Sequence, residues 1–208
     1  DDRPSLPLVR EALQNAIDAG RSVDRNGDPI RVRIALHTGE YAAPSAIGKR
    51  WFGTLWEHVG AKKNGLREAP DLADSCGFLV VEEFGTVGLT GDVNSDDIDG
   101  EQNNFVDFLR SDGRTRKSSG EQGSWGVGKN VFPRCSRINS YLAYTVRHDD
   151  HRHLLMGKSI LKIRRVGDKQ YQPPVYLCSS WNNGEVPLPH EDPAVITRFR
   201  DDFAVTRG

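Results

Sequence analysis

Pro7 is followed by Leu8, Val9, Ala12, Leu13, Ala16 and Ile17, apolar positions at helical spacing, with Gly20 as a stop. Side chains three and four residues apart share one face of a helix, so this pattern predicts an amphipathic helix over residues 8–19. After the turn signal Asn26-Gly27-Asp28 the period changes. Ile30, Val32, Ile34 and Leu36 alternate with Arg31, Arg33 and Ala35, which predicts a half-buried strand over 30–37. The two elements together ask for a helix packed on a sheet, with Leu13 and Ile17 as the expected anchors.

Further along, a second helix is expected within 48–60 or 66–73. Phe78-Leu79-Val80-Val81 is a continuous apolar run ending in Glu82-Glu83-Phe84-Gly85, which reads as a buried strand that delivers a carboxylate at its exit. Residues 86–124 are strongly polar apart from Phe105, Val106, Phe108 and Leu109, and a loop of that length is a functional lid or a disordered segment. A glycine-rich stretch, 123–128, then precedes a helix from about 129 to 138. Tyr141–Val146 and Leu154–Ile163 read as a hairpin around His148-Asp149-Asp150-His151. Residues 167–208 are punctuated by proline and give no clear element. No internal repeat is visible.

A length of 208 residues suits one domain with one compact core. Hydrophobic residues at 37% and charged residues at 27% exclude a membrane protein and a charged disordered tail. The 28 basic and 29 acidic residues leave a net charge of −1, so no global field attracts nucleic acid, and such a partner is left to a local basic patch. Cys76, Cys135 and Cys178 form no CxxC pair, which points to neither a disulfide framework nor a zinc site and suits a reducing cytoplasm. There is no apolar run of membrane-spanning length and no signal-peptide layout. Starting without methionine, the chain is expected to be part of something longer.

Three segments carry candidate chemistry. At 3.6 residues per turn Glu11, Asn15 and Asp18 project from one helix face, a carboxylate, a carboxamide and a carboxylate able to hold a cation, while Ala16 and Ala19 keep the helix slim enough for a flat ligand. Taken alone, such a face is most simply a solvated surface. Glu83-Phe84-Gly85-Thr86-Val87-Gly88-Leu89 places an acid before two glycines, and Glu82 stands as the alternative acid. Gly123-Ser124-Trp125-Gly126-Val127-Gly128-Lys129 offers backbone N–H groups to phosphate oxygens at the mouth of a helix. It nearly spells a P-loop, but Asn130 replaces the Ser or Thr that would reach Mg²⁺, and a polar stretch replaces the preceding strand. His148, His151 and His153 lack ligand-spaced partners and read as a solvated turn.

The pattern E-x-x-x-N-A-x-D-A over 11–19 resembles the N-box of GHKL ATPases, the fold shared by gyrase B subunits, Hsp90-like chaperones, histidine kinases and MutL-like proteins. The other two segments resemble, in the family's order, its D-x-G-x-G-M motif and its G-x-x-G-x-G lid motif. The second departs from the family by a Glu for Asp and by one extra residue between the glycines. The resemblance implies an α+β fold, a two-layer sandwich of helices on a mixed, mostly antiparallel sheet of the Bergerat type. Residues 1–165 would form the ATP-binding core with a lid at about 89–124, and 166–208 an extension of it or the start of a following domain.

By the same resemblance Glu11 would be the general base, Asn15 would bind Mg²⁺, and Asp18 and Ala19 would line the nucleotide pocket. Glu83, Gly85, Gly88 and Leu89 would surround the adenine, and Gly123, Gly126, Val127, Gly128 and Lys129 would hold the phosphates. The implied activity is slow, Mg²⁺-dependent ATP hydrolysis in which lid closure drives homodimerisation or acts on a fused or partner effector. The motif variants look most like those of prokaryotic MORC-like or phage-defence (antiviral) ATPases. A module that senses nucleotide without hydrolysing it is the alternative, and a structural or DNA-binding module whose glycines are only loops is the third.

Overall fold

The computed structural model describes residues 5–21, 29–42, 45–71, 73–95, 102–111 and 131–207. In chain order the elements are α1 (Ser5–Arg21), β1 (Arg31–Ala42), α2 (Ala46–Phe52), α3 (Trp56–Val59), β2 (Ser75–Phe84), α4 (Asn104–Leu109), α5 (Val131–Arg134), β3 (Ser140–Val146) and β4 (His153–Ser159). The short strands β5 (Arg164–Val166), β6 (Lys169–Tyr171), β7 (Val175–Leu177), β8 (Ser180–Asn182) and β9 (Val186–Leu188) follow, and α6 (Pro193–Asp202) ends the series. The fold is α+β, and every ladder among the described residues is antiparallel.

The expected first helix exists, but its anchors differ from expectation. Leu8, Ala12, Ala16 and Gly20 face inward, Ala12 and Ala16 at 0% exposure, whereas Leu13 and Ile17 are 45% and 40% exposed. Small side chains let a helix axis approach its neighbours closely, and α1 lies against β1, β2 and α5 through that slim face. Helical periodicity marks the faces of α1 without saying which one the body of the protein takes. The slim face is therefore spent on packing, and Ala16 is not open to a flat ligand.

β1 and β2 pair from Arg31 opposite Phe84 to His37 opposite Phe78, and pairing resumes after an irregularity at Tyr41 opposite Cys76. Both expected strands are thus present and longer than the apolar pattern indicated. The Phe78 face of the ladder is covered from the C-terminal side, where the Phe203 ring sits edge-on at 5.2 Å.

The three-stranded sheet β3-β4-β7 forms the centre. Antiparallel pairing of Tyr144 with Leu155 puts both on one face, where they meet Trp51 of α2 and Ile196 and Phe199 of α6. On the other face Leu154 and Met156 pack with Val93 and with Phe105 and Leu109 of α4. A third cluster joins Leu55, Val59, Ile138 and Leu161. Each fully buried Leu of these clusters contributes roughly 1.5–3 kcal/mol of transfer free energy.

Caps set several boundaries. The Asn103 side chain accepts from Val106 N at 3.0 Å and starts α4, and Asp192 accepts from Ala194 N at 2.7 Å with Pro193 in the first helical turn of α6. Within 48–60 the chain forms two short helices interrupted around Gly53, and 66–73 is not helical in its described residues. The helix expected to about 138 ends at Arg134, and Cys135–Asn139 turns into β3 instead. β4 stops at Ser159: Ile160 N still donates to Asn139 O, but Asn139 turns with φ 47° and Leu161 packs into the third cluster. The apolar cluster read within a polar loop is α4, a part of the core.

Candidate functional site

α1 carries the first motif. Glu11 and Asn15 are half-buried on one flank of the Ala12–Ala16 stripe, and neither side chain is hydrogen-bonded to another described residue. Burial raises the Glu11 carboxyl above the usual carboxylate range, opposed by Arg10 and reinforced by Asp18. Asp18 is exposed and accepts from Gln14 Nε2, at 2.9 Å to each carboxylate oxygen. Ala19 is half-buried. A carboxylate held near a carboxamide, both without partners, is a hard oxygen donor set of the kind that suits Mg²⁺ together with phosphate oxygens. Among the described residues no three His, Cys, Asp or Glu side chains converge on a metal site.

β2 delivers the second motif, and its two glutamates have separate fates because successive strand residues point to opposite faces. Glu82 is buried. Its Oε1 accepts from Thr206 N at 2.7 Å and Arg207 N at 2.9 Å, the Thr206 hydroxyl also donates to it, and Arg33 forms an ion pair with it. Burial works against the charge, but the hydrogen bonds from Arg207, Arg33 and Thr206 outweigh it and hold the carboxyl below the usual range. Glu83 lies opposite Val32, half-buried. Burial pushes its carboxyl up to about 7, with Arg207 pulling the other way. Of the two candidate acids, Glu82 is committed to the C-terminal segment and Glu83 is not.

The glycines after β2 have structural duties. Gly85 adopts φ 74° and Gly88 φ 75°, the left-handed region that glycine enters without strain. A Cβ on Gly88 would stand 2.6 Å from Val146 O and 2.7 Å from Thr145 Oγ1, so this residue is where the chain passes the end of β3. Leu89 N donates to Thr145 Oγ1 at 2.9 Å, His148 N donates to Val87 O at 2.9 Å, and the Leu89 side chain packs on the Phe105–Met156 cluster. Leu89 is thus a half-buried residue that packs on the core. Gly123, Gly126, Val127, Gly128 and Lys129 lie outside the described residues.

Two arginines with no motif around them complete this region. Arg207 donates to Glu83 O, to Thr86 Oγ1 at 3.3 Å and to Val146 O at 3.3 Å, stitching β2 to β3. Arg147, 6% exposed, donates to Gly91 O at 2.8 Å and to Asp149, which ties the β3–β4 turn to the segment after β2. Nothing local in the sequence marks the cross-links these residues make, since Gly91 lies 56 positions from Arg147, and Val146 and Glu83 lie 61 and 124 positions from Arg207. His148 and His151 are exposed as expected, while the half-buried His153 ring is hydrogen-bonded to Tyr144 Oη at 2.7 Å.

A cleft of about 520 Å³ opens elsewhere, lined by Trp51, Leu142, Leu155, Tyr176, Cys178 and His190 among others, and none of the motif residues that are described lines it. Among the described residues no helix is long and apolar enough to cross a membrane. No protein-family model matches the chain, nor does any curated protein or any solved structure.

Proposed function

We propose that this chain is a Mg²⁺-dependent ATP-binding and ATP-hydrolysing module of the GHKL type, its helices and antiparallel strands arranged as a Bergerat-type two-layer sandwich. One observation carries the reading: α1, with Glu11 and Asn15 half-buried and not hydrogen-bonded through their side chains to another described residue, lies against β2, the strand that carries Glu83 near its end. Two motifs some seventy residues apart in the chain are thus carried by elements that touch.

In this reading Asn15 offers its side-chain oxygen to Mg²⁺, the triphosphate and water filling the remaining positions. Bound Mg²⁺ would neutralise charge developing on the transferred phosphoryl group. Glu11 accepts a proton from the attacking water, and its raised basicity suits that task. Glu83 accepts from the adenine amino group, since Glu82 is consumed by Thr206, Arg207 and Arg33. Phosphate contacts fall to Gly123, Gly126, Gly128 and Lys129. Closure of the segment that contains them drives homodimerisation or acts on an effector, in a setting such as phage defence.

Calorimetric titration with a non-hydrolysable ATP analogue, with and without Mg²⁺ and with GTP as control, tests the reading. Saturable, Mg²⁺-dependent binding that prefers adenine is expected. A folded sample that binds no nucleotide would overturn it.

A further inference from the structure

Although the chain is nearly neutral overall, its charge is not evenly spread. The turn after α3 carries Lys62 and Lys63, and the segment entering and forming the β5–β6 hairpin carries Lys162, Arg165 and Lys169, all exposed. Tertiary contacts bring these two stretches, a hundred residues apart, onto one surface. Lys162 N donates to Asn64 O at 2.7 Å. Gly65, at φ 89°, leaves room for the stem of Lys162, whose Cγ would lie 2.6 Å from a Cβ there. Behind them the Arg164 guanidinium, 3% exposed, donates to His58 Nδ1 at 3.0 Å and to Lys162 O at 3.0 Å. The His58 ring meets Tyr171 edge-on at 4.7 Å, and Lys169 Nζ stands 5.1 Å over the same tyrosine.

None of these cations forms an ion pair with a described residue, whereas Arg33, Arg50, Arg137, Arg147 and Arg152 elsewhere all do. The acids nearest along the same stretches are Glu57, Glu68 and Asp168, with Arg67 beside Glu68. The arrangement is also held firmly. Asn64, 6% exposed, donates to Val59 O at 2.6 Å and accepts from Leu66 N at 3.0 Å, pinning the lysine turn to the end of α3. Lysines presented from a fixed backbone and left without counter-ions create a local positive potential in a protein that has none globally.

We infer that the α3 turn and the β5–β6 hairpin form a binding surface for the phosphate backbone of nucleic acid, read without regard to base sequence. Ile163 is the one large apolar side chain exposed among these cations. An interface with an acidic protein would need an apolar centre, and a membrane-surface site an amphipathic helix with its apolar face beside the charges, and the patch has neither. Contacts that neutralise phosphates release counter-ions, so the binding weakens steeply with salt. This inference does not rest on the nucleotide site.

The test is fluorescence anisotropy of the whole chain with a labelled DNA duplex of about 20 base pairs, between about 50 and 200 mM salt. Lys62→Glu/Lys63→Glu is compared with Lys49→Glu/Arg198→Glu, which changes the net charge equally on an exposed surface of α2 and α6. Thermal melts confirm that both variants fold. Expected is salt-dependent binding by the parent, a loss of at least about tenfold for the first variant, a salt slope shallower by about two, and less than about twofold loss for the second. No salt-dependent duplex binding by the parent, or equal losses in the two variants, overturns the inference. So does equal or tighter binding to phosphatidylserine vesicles or polyglutamate that is abolished by the same substitutions.

Discussion

At the scale of single residues, the contrast between Glu82 and Glu83 shows how one strand position decides a side chain's chemistry. The two are neighbours in sequence, yet one is held ionised by donors from the C-terminal segment and the other is pushed toward protonation by burial. The Glu83 carboxyl, raised to about 7, favours the ligand-free fold while protonated, a contribution complete below its unfolded value and lost as pH rises through about 7. Glu83→Gln should therefore stabilise the free chain relative to the parent at pH 8, by no more than about 3 kcal/mol, and have little effect at pH 4.5. Urea melts at the two values check this. On the proposed adenine contact the ionised form is the better acceptor, so affinity for the ATP analogue should rise severalfold from pH 6 to pH 8, and Glu83→Gln should flatten that rise.

Glu11 and Asn15 belong to the same scale, and the proposed function sets what their variants should do. Glu11→Ala is expected to bind ATP with ordinary affinity and to lose hydrolysis by about two to four orders of magnitude. Collapse of binding in a folded variant would remove Glu11 from the role of base. Asn15→Ala should weaken Mg²⁺-dependent binding much more than Mg²⁺-free binding, and calorimetry with and without the metal separates the two.

Elements show what periodicity leaves open. Both apolar flanks of α1 satisfy a helical repeat, but only the Leu8–Ala12–Ala16 side meets the sheet. Ala16→Leu should overpack that contact and cost about 1–3 kcal/mol, whereas Leu13→Lys, at an exposed position, should stay within about 0.5 kcal/mol of the parent. The reverse order in urea denaturation would mean that α1 packs by its larger aliphatic side. α4 teaches a related lesson. Its six residues are too few to show a period, and Phe105, Val106 and Leu109 are core because Asn103 caps the turn and sends them onto β4.

For the molecule as a whole, the C-terminal segment completes the sheet region. Removing residues 205–208 leaves the buried Glu82 carboxylate with Arg33 as its one remaining partner among the described residues, so a loss of roughly 3 kcal/mol is expected, measured as a lowered urea midpoint. Glu82→Gln in the truncated chain should recover part of that loss, because the uncompensated charge is gone. If truncation leaves the midpoint unchanged, the clamp contributes nothing to stability. The charge distribution belongs to this scale too, since net charge averages over a surface that tertiary contacts have sorted.

The sequence by itself determined the presence and type of the long elements: a period of 3.6 marks α1, a period of 2 marks β1, a continuous apolar run marks β2, and the β3–β4 hairpin stands where the sequence places it, with β4 shorter than expected. It also determined that Glu11, Asn15 and Asp18 share a helix face. Only the tertiary structure decided which side of α1 is buried, which glutamate is committed, that Gly88 makes room for β3, and that Lys62 and Lys162 share a surface. The physical reason is distance along the chain. Periodicity is a local property of a dozen residues, whereas burial, ion pairing and close backbone approach are set by partners far along the chain, such as Val146 for Gly88 and, 125 positions away, Arg207 for Glu82.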